Sequence, residues 1–415
     1  NGSWCNGHPY TGEMEGWGHR LQETGNRVVS IGKLHYRNET DPTGFEEQIL
    51  PLHVVNGTGD VLGAVRDELP IRRKGINMLN NTGPGESGYI DYDRQIVEES
   101  AKWLQERGKE KDDKPWVVFV SMVCPHFPLI APPEFYEMYD PATIPLSKGI
   151  RDEGFTRHPW VDALKRCQNF GDCDDEMKWK IAMASYFGLC SYLDDNVGKV
   201  LAALKESGLE GDTRVIYTSD HGDNIGAREM WGKSNMYQES AAIPLIMAGP
   251  DVPVGVERET PVSHVDFYQT IMECVGETSA EKDLPGHSLF DLATKDDDEE
   301  RCVFSEYHAS GSPTGVFMLR QGRFKLIYYV SFEPELFDLE NDPEEMTNLA
   351  TDPDHAKVFE NLERELRKII DPEDVDRRAK ADQAALVERH GGRDAVVAKG
   401  SFGGTPAPGE KPQYG

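Results

Sequence analysis

The sequence predicts an α/β protein: a mainly parallel (mixed) sheet sandwiched by helices, followed by a smaller C-terminal subdomain built on an antiparallel sheet. Three observations predict it. Short apolar, β-branched runs alternate with helical patterns up to residue 292. Each of those runs stops at polar or turn residues, as strands buried in a parallel sheet do. Beyond a charged bridge, "ATKDDDEER" (293–301), the pattern changes to closely spaced strands.

The strand candidates are "RVVSIG" (27–32), "PWVVFVSMV" (115–123), "TRVIYTS" (213–219) and "IPLIMAG" (243–249). Between them, 92–108, 174–208 and 263–276 carry helical periodicity, each with Asp or Ser near its start and Gly near its end. After the bridge come "CVFSEYH", "GVFMLRQGRFKLIYYV" and "PELFDLENDPEE", where "RQGR" is a hairpin-like turn. A helix is expected at 355–370, and the Gly/Pro-rich stretch from Asp371 to the end reads as an extended tail. The organisation is therefore an α/β core over 1–292, an antiparallel sheet plus helix over 301–370, and a tail over 371–415.

Composition narrows the function. Lys and Arg number 44 against 73 Asp and Glu, a net charge of −29, which argues against a nucleic-acid or anionic-membrane partner. No window of apolar residues is long enough to span a membrane. An anionic substrate would need a local basic pocket. Seven cysteines cannot all pair, and most sit singly in apolar stretches. Only Cys167 and Cys173, in "RCQNFGDC", are spaced for a loop disulfide. The odd count leans towards a reducing compartment, and one bridge would suit a periplasmic protein, so both locations stay open.

In an open α/β sheet, ligands bind outside the carboxyl ends of the strands. Lys33, Leu34 and His35 follow the first strand, "CPHFP" with His126 follows the second, and Asp220-His221-Gly222-Asp223 follows the third, with Lys233 shortly beyond. Taken singly, each has an ordinary reading: Asp220 as a cap or turn residue, His221 as a half-buried imidazole, Lys33 and Lys233 as surface cations, His126 as a loop side chain. Four segments converging on one sheet edge favour a shared site. Asp220 and His221 offer an oxygen and a nitrogen to a divalent cation. Two lysines and two histidines suit a tetrahedral oxyanion, and a histidine can pass a proton to a leaving oxygen. Asp223 reads as ordering the following turn. The chemistry is sulfuryl or phosphoryl transfer.

These residues carry a resemblance. "SIGKLH", "PHFP", "SYLDDNVGKVLAAL", "SDHGD", "GKSNMYQESAAIPLIM", "VSHVDFYQTIMECVG", "LPGHSLFDL" and "RQGRFKLIYYV…ELFDLENDPEEMTNLA" occur in the order seen in the sulfatase branch of the alkaline phosphatase superfamily. Within that branch the sequence is similar to the choline-sulfatase and phosphonate-monoester-hydrolase type. The resemblance implies a metal-dependent sulfuric ester hydrolase acting on a small anionic sulfate ester. It implies that Asp220 and His221 are metal ligands, for Ca²⁺ by the family pattern, with Mn²⁺ or Zn²⁺ admitted by the imidazole. Lys33 and His35 match the pair flanking the nucleophile, His126 the histidine that contacts sulfate and protonates the leaving oxygen, and Lys233 the second sulfate-binding lysine.

One family feature has no counterpart. The resemblance implies a formylglycine nucleophile made from Cys or Ser in a C/S-x-P/A-x-R motif, and no cysteine or serine of the sequence stands in one. An Asp pair after the first strand is also expected, yet Asp112-Asp113 belongs to a linker and Asp194-Asp195 to a helix. The sequence is accordingly read as a fragment lacking an N-terminal segment and inactive alone. Two other readings accompany the sulfatase: a phosphonate monoester or phosphodiester hydrolase of the same superfamily, and an inactive anion-binding protein. Homo-oligomerisation through the C-terminal tail is a further expectation.

Overall fold

The computed structural model describes residues 2–414 except 74, 76, 77, 111–113, 151, 153, 171, 172 and 278–283. Helix α1 (Trp17–Glu23) leads into β1 (Arg27–Lys33), and β2 (Glu47–Leu52) runs parallel beside it. Strand β3 (Gly83–Pro84) precedes α2 (Gly88–Arg107), and β4 (Trp116–Ser121) pairs parallel on the other side of β1, giving the order β2-β1-β4. Strand β5 (Ile130–Ala131) pairs with β3, followed by α3 (Pro133–Tyr136), α4 (Pro159–Gln168) and the long α5 (Glu176–Glu206). Strand β6 (Val215–Thr218), α6 (Gln238–Ala241), β7 (Leu245–Ala248), α7 (Asp266–Cys274) and α8 (Leu289–Thr294) complete the first unit. The fold class is the one expected, an α/β core with a small antiparallel sheet after it.

Local rules explain the two long helices. The Ser87 side chain accepts from Ile90 N at the start of α2, and Asp175 accepts from Met177 N at the start of α5. Along α2 the buried positions include Ile90, Ile96, Val97, Trp103 and Leu104, one stripe at helical spacing. Burying such a side chain contributes about 1.5–3 kcal/mol. Tyr192 of α5 donates to Ile90 O of α2 at 2.9 Å, fixing the two helices together against the sheet.

The C-terminal unit is an antiparallel sheet ordered β11-β10-β9-β8, from β8 (Cys302–Tyr307), β9 (Val316–Gln321), β10 (Phe324–Tyr329) and β11 (Glu335–Asp338). Its "RQGR" turn is a hairpin: Gln321 pairs Phe324, and Gly322 takes φ +52°. Helix α9 (Ala356–Ile369) buries Leu362 and Leu366 in a cluster with Phe317, Leu319 and Leu326.

Four expectations need correction. The runs at 213–219 and 243–249 do not join the parallel sheet; β6 and β7 form their own antiparallel pair. Nor are all strands buried: Phe119 in β4 is 43% exposed and Ile246 in β7 62%. The reason is edge pairing, since among the described residues β4 pairs only with β1 and β6 only with β7. The stretch from Asp371 is extended only at its end; α10 (Pro372–Arg389) and α11 (Gly392–Lys399) occupy most of it. Asp371 caps α10 through Asp374 N, Pro372 fills the first turn, and Val375, Ala379, Leu386 and Val387 supply a buried stripe. Cys167 and Cys173 are free thiols: Cys167 lies on the buried face of α4 and bonds Pro70 O at 3.1 Å. Asp194 and Asp195 lie in α5, while the Asp112-Asp113 pair falls outside the described residues. No described helix is long and apolar enough to cross a membrane.

A polar joint locks the two units. Arg228, 1% exposed, donates to Glu239 at 3.1 Å and to the carbonyls of Glu344 and Glu345 at 2.8 and 3.0 Å, and its guanidinium lies 3.8 Å from the Tyr237 ring centre. Beside it, Lys325 Nζ meets Glu345 at 2.6 Å, both side chains fully enclosed. Breaking such a joint from one side leaves buried partners uncompensated. Arg228→Ala is expected to lower the unfolding free energy by about 3–5 kcal/mol. A urea melt within about 1 kcal/mol of the parent would show that water replaces the guanidinium.

Candidate active site

The cleft lies where the carboxyl ends of β1, β4 and β6 meet. Lys33 ends β1, and the next turn carries His35 at φ +59° with its N–H given to Leu52 O at 2.7 Å. A non-glycine residue in that left-handed region is held there by its surroundings. After β4, Asp93 of α2, wholly buried, accepts from Val123 N at 2.8 Å and Cys124 N at 2.9 Å. That grip sets the path of the loop bearing His126.

After β6 the chain turns at Asp220-His221-Gly222-Asp223. Gly222 is required there, because a Cβ would overlap the Glu239 carbonyl, and its own N–H bonds Ser240 O at 2.9 Å. Asp223 accepts from Ile225 N at 2.9 Å and Gly232 N at 3.0 Å, so it orders the turn. Asn235 donates to Asn224 Oδ1 at 3.0 Å, and Asn224 donates to Gly232 O at 2.6 Å. These bonds bring Lys233 back over the cleft.

The structure brings five of the six side chains expected at the site into mutual contact and sets His35 within electrostatic reach of Lys33, Lys233 and Asp220. Lys33 Nζ is 4.0 Å from Asp220 Oδ2, and Asp220 Oδ2 is 3.5 Å from His221 Nε2. The His126 and His221 rings lie 6.3 Å apart, and Lys233 Nζ is 3.0 Å from His126 Nε2. His126 Nδ1 pairs with Phe127 O at 2.8 Å, so Nδ1 carries the hydrogen and Nε2 offers its lone pair to the Lys233 ammonium.

Charge follows from that crowding. Burial pushes Lys233 down to about 8, and the Lys33 ammonium adds to the effect. Burial and the two lysines hold His126 well below the usual imidazole range. His35 is pushed down to about 4 by burial, then by Lys33 and Lys233. Burial alone would raise Asp220, but His221, Lys33 and Lys233 outweigh it and keep the carboxylate ionised. At neutral pH the cleft therefore holds two cations, a carboxylate and neutral imidazoles.

The donor chemistry at Asp220 and His221 fits part of a divalent-cation site. His221 Nδ1 gives its hydrogen to Gly222 O at 2.8 Å, leaving Nε2 free to ligate beside the Asp220 carboxylate. Among the described residues no third His, Cys, Asp or Glu joins them. A formylglycine does not fit this chain, which has no Cys or Ser in the motif that would carry one.

With the cleft defined, comparison with known proteins is decisive. The sulfatase family model matches residues 54–277, more than half of the chain and including every expected site residue except Lys33 and His35. The chain belongs to the sulfatase family. Residues 226–372 also match the model of the N-sulphoglucosamine sulphohydrolase C-terminal region. As a member of this family of sulfuric ester hydrolases, the chain is 29% identical over 372 residues to choline-sulfatase of Rhizobium meliloti (strain 1021), covering 84% of this chain and 69% of that protein. It is 26% identical over 394 residues to arylsulfatase K of Rattus norvegicus, covering 89% of this chain and 66% of the relative. The structure of phosphonate monoester hydrolase SpPMH from Silicibacter pomeroyi superimposes with a TM-score of 0.67 at 22% identity, covering 88% of this chain and 81% of the other. That likeness shows a shared fold.

Sequence reasoning missed Asp93 and the end of the chain. Asp93 looks like an ordinary polar helix residue in "YDRQ"; its only signal is a charged side chain on the apolar stripe of α2.

Proposed function

We propose that this chain supplies the oxyanion-binding and proton-handling half of a sulfuric ester hydrolase site for a small sulfate monoester. The observation that carries the reading is the convergence of Lys33 and Lys233 with neutral His35 and His126 on one cleft in a chain of net charge −29. Two ammonium groups there attract the tetrahedral sulfate anion and stabilise charge developing on its oxygens. Lys233, with its lowered proton affinity and its contact to His126 Nε2, is the proton carrier of the pair. His126, neutral and oriented by Phe127 O, holds Lys233 through its Nε2 lone pair while that lysine gives its proton to the departing alcohol oxygen. His35, also neutral, is the base on the Lys33 side. Asp220 and His221 would hold a divalent cation, Ca²⁺ or a borderline metal, which when bound neutralises charge on the transferring group.

The test is direct. Calorimetry on residues 1–415 should show inorganic sulfate binding, and a polypeptide that joins this chain to a nucleophile-bearing segment should hydrolyse an aryl sulfate faster than the matching aryl phosphonate. Absence of sulfate binding sinks the reading. A faster phosphonate reaction moves the assignment to a phosphonate monoester hydrolase, a reading that the Asp220-His221 pair accommodates equally well.

A further inference from the structure

The end of the chain turns back into the cleft. After α11, residues 401–410 run over α2 and the loop that carries His126. Ser401 is 2% exposed and Ala407 4%, the latter within the main apolar core. Tyr89 of α2 donates its hydroxyl to Thr405 O, and Ala407 N donates to the Glu410 carboxylate at 3.1 Å. Gly404 lies against the same surface: a Cβ there would sit 3.4 Å from the Phe127 ring and 3.5 Å from the Tyr89 hydroxyl. The Phe127 ring in turn is centred 4.2 Å from that of His126. This packing places the Thr405 hydroxyl 2.8 Å from His35 Nε2, across 370 residues of sequence.

We propose that residues 401–410 form a built wall of the cleft, that Thr405 is the positioning residue that holds the His35 imidazole, and that the alcohol part of the sulfate ester lies against this wall. The second half rests on the sulfatase reading above; the first does not. The segment is a wall and not a removable plug, because buried Ser401 and Ala407 anchor it at both sides of Thr405. A hydroxyl suits His35 because it can donate or accept, matching either tautomer of a neutral ring. The bond also steadies a ring carried on the left-handed backbone of residue 35.

Thr405→Val keeps the shape and removes the hydroxyl; Thr405→Ser keeps the hydroxyl. In protein labelled with ¹⁵N-histidine, with the His35 signals identified by their loss in His35→Gln, the valine variant should shift the His35 ring nitrogens more than those of any other histidine. Serine should restore them. In calorimetry Thr405→Phe, which adds bulk to the wall, should bind 4-nitrophenyl sulfate about tenfold more weakly, with inorganic sulfate less affected. Unchanged His35 signals in the valine variant, or a serine variant that behaves like valine, overturn the positioning role. Equal losses for sulfate and the aryl ester overturn the wall as the seat of the alcohol. If the parent chain binds neither probe, the sulfatase reading falls and the alcohol wall with it, while the His35 signals still decide the Thr405 contact.

Discussion

Replacing Lys233 by Met is expected to weaken inorganic sulfate binding by about a hundredfold, the loss of one charge-assisted contact in a shielded cleft. The methionine chain fills the same path, so the fold should survive with little change in the denaturation midpoint. The substitution also removes the donor to His126 Nε2, which sits 3.0 Å away. His126 is then freed from a neighbouring cation that depresses its proton affinity, and its ring should become easier to protonate. Calorimetric titration of the variant beside the parent decides the matter. A loss below about threefold would mean that Lys33 binds the anion without Lys233.

Asp93→Ala should loosen the loop that bears His126 without removing any group that meets the anion. It strips the acceptor from two buried backbone N–H groups, those of Val123 and Cys124, and each unsatisfied donor costs about 1–3 kcal/mol. A fall in unfolding free energy of about 3 kcal/mol is expected from urea melts, with faster exchange of the amides of Val123, Cys124, His126 and Phe127. Asp93→Asn retains an acceptor and should cost less. The pH dependence separates the two roles of the carboxyl. Burial raises Asp93 from 3.8 to about 6. Lys33 is the cation that faces it, and Cys124, Tyr89, Tyr92 and Tyr192 face it uncharged. A carboxyl whose folded value is raised binds its proton more tightly in the native state. Its contribution to stability is therefore fully present below the unfolded value and is lost as the pH rises through about 6. Asp93→Asn should remove that part of the slope between about pH 4 and 6, and identical slopes for the two proteins would show that the carboxyl does not titrate there.

Much of the cleft was legible because strand ends and turns obey short-range rules. A parallel strand must stop where its apolar run stops, and its carboxyl end faces the ligand side. That logic places Lys33, His35 and His126 beyond β1 and β4, whereas Asp220, His221 and Lys233 follow β6 of the separate antiparallel pair and join them because each lies beyond the end of an apolar run. Asp223 was legible as a turn residue for the same reason, since its partners Ile225 and Gly232 lie nearby in sequence. Asp93 and Thr405 were not, because the groups they hold are 30 and 370 residues away. Nothing within one helix turn or one loop marks either of them. The antiparallel pairing of β6 and β7 was hidden too: strand direction depends on how the intervening chain returns, and an apolar run reads the same both ways.

The sequence by itself determined the α/β class, the helix caps, the "RQGR" hairpin and the membership of the cleft, because periodicity and capping act over a few residues. Only the tertiary structure decided which imidazole nitrogen faces Lys233, how Arg228 fastens the two units, and where the last residues of the chain run. Those outcomes depend on burial, which sets both the proton affinities and the cost of an unpaired polar group, and burial exists only once distant segments have packed together.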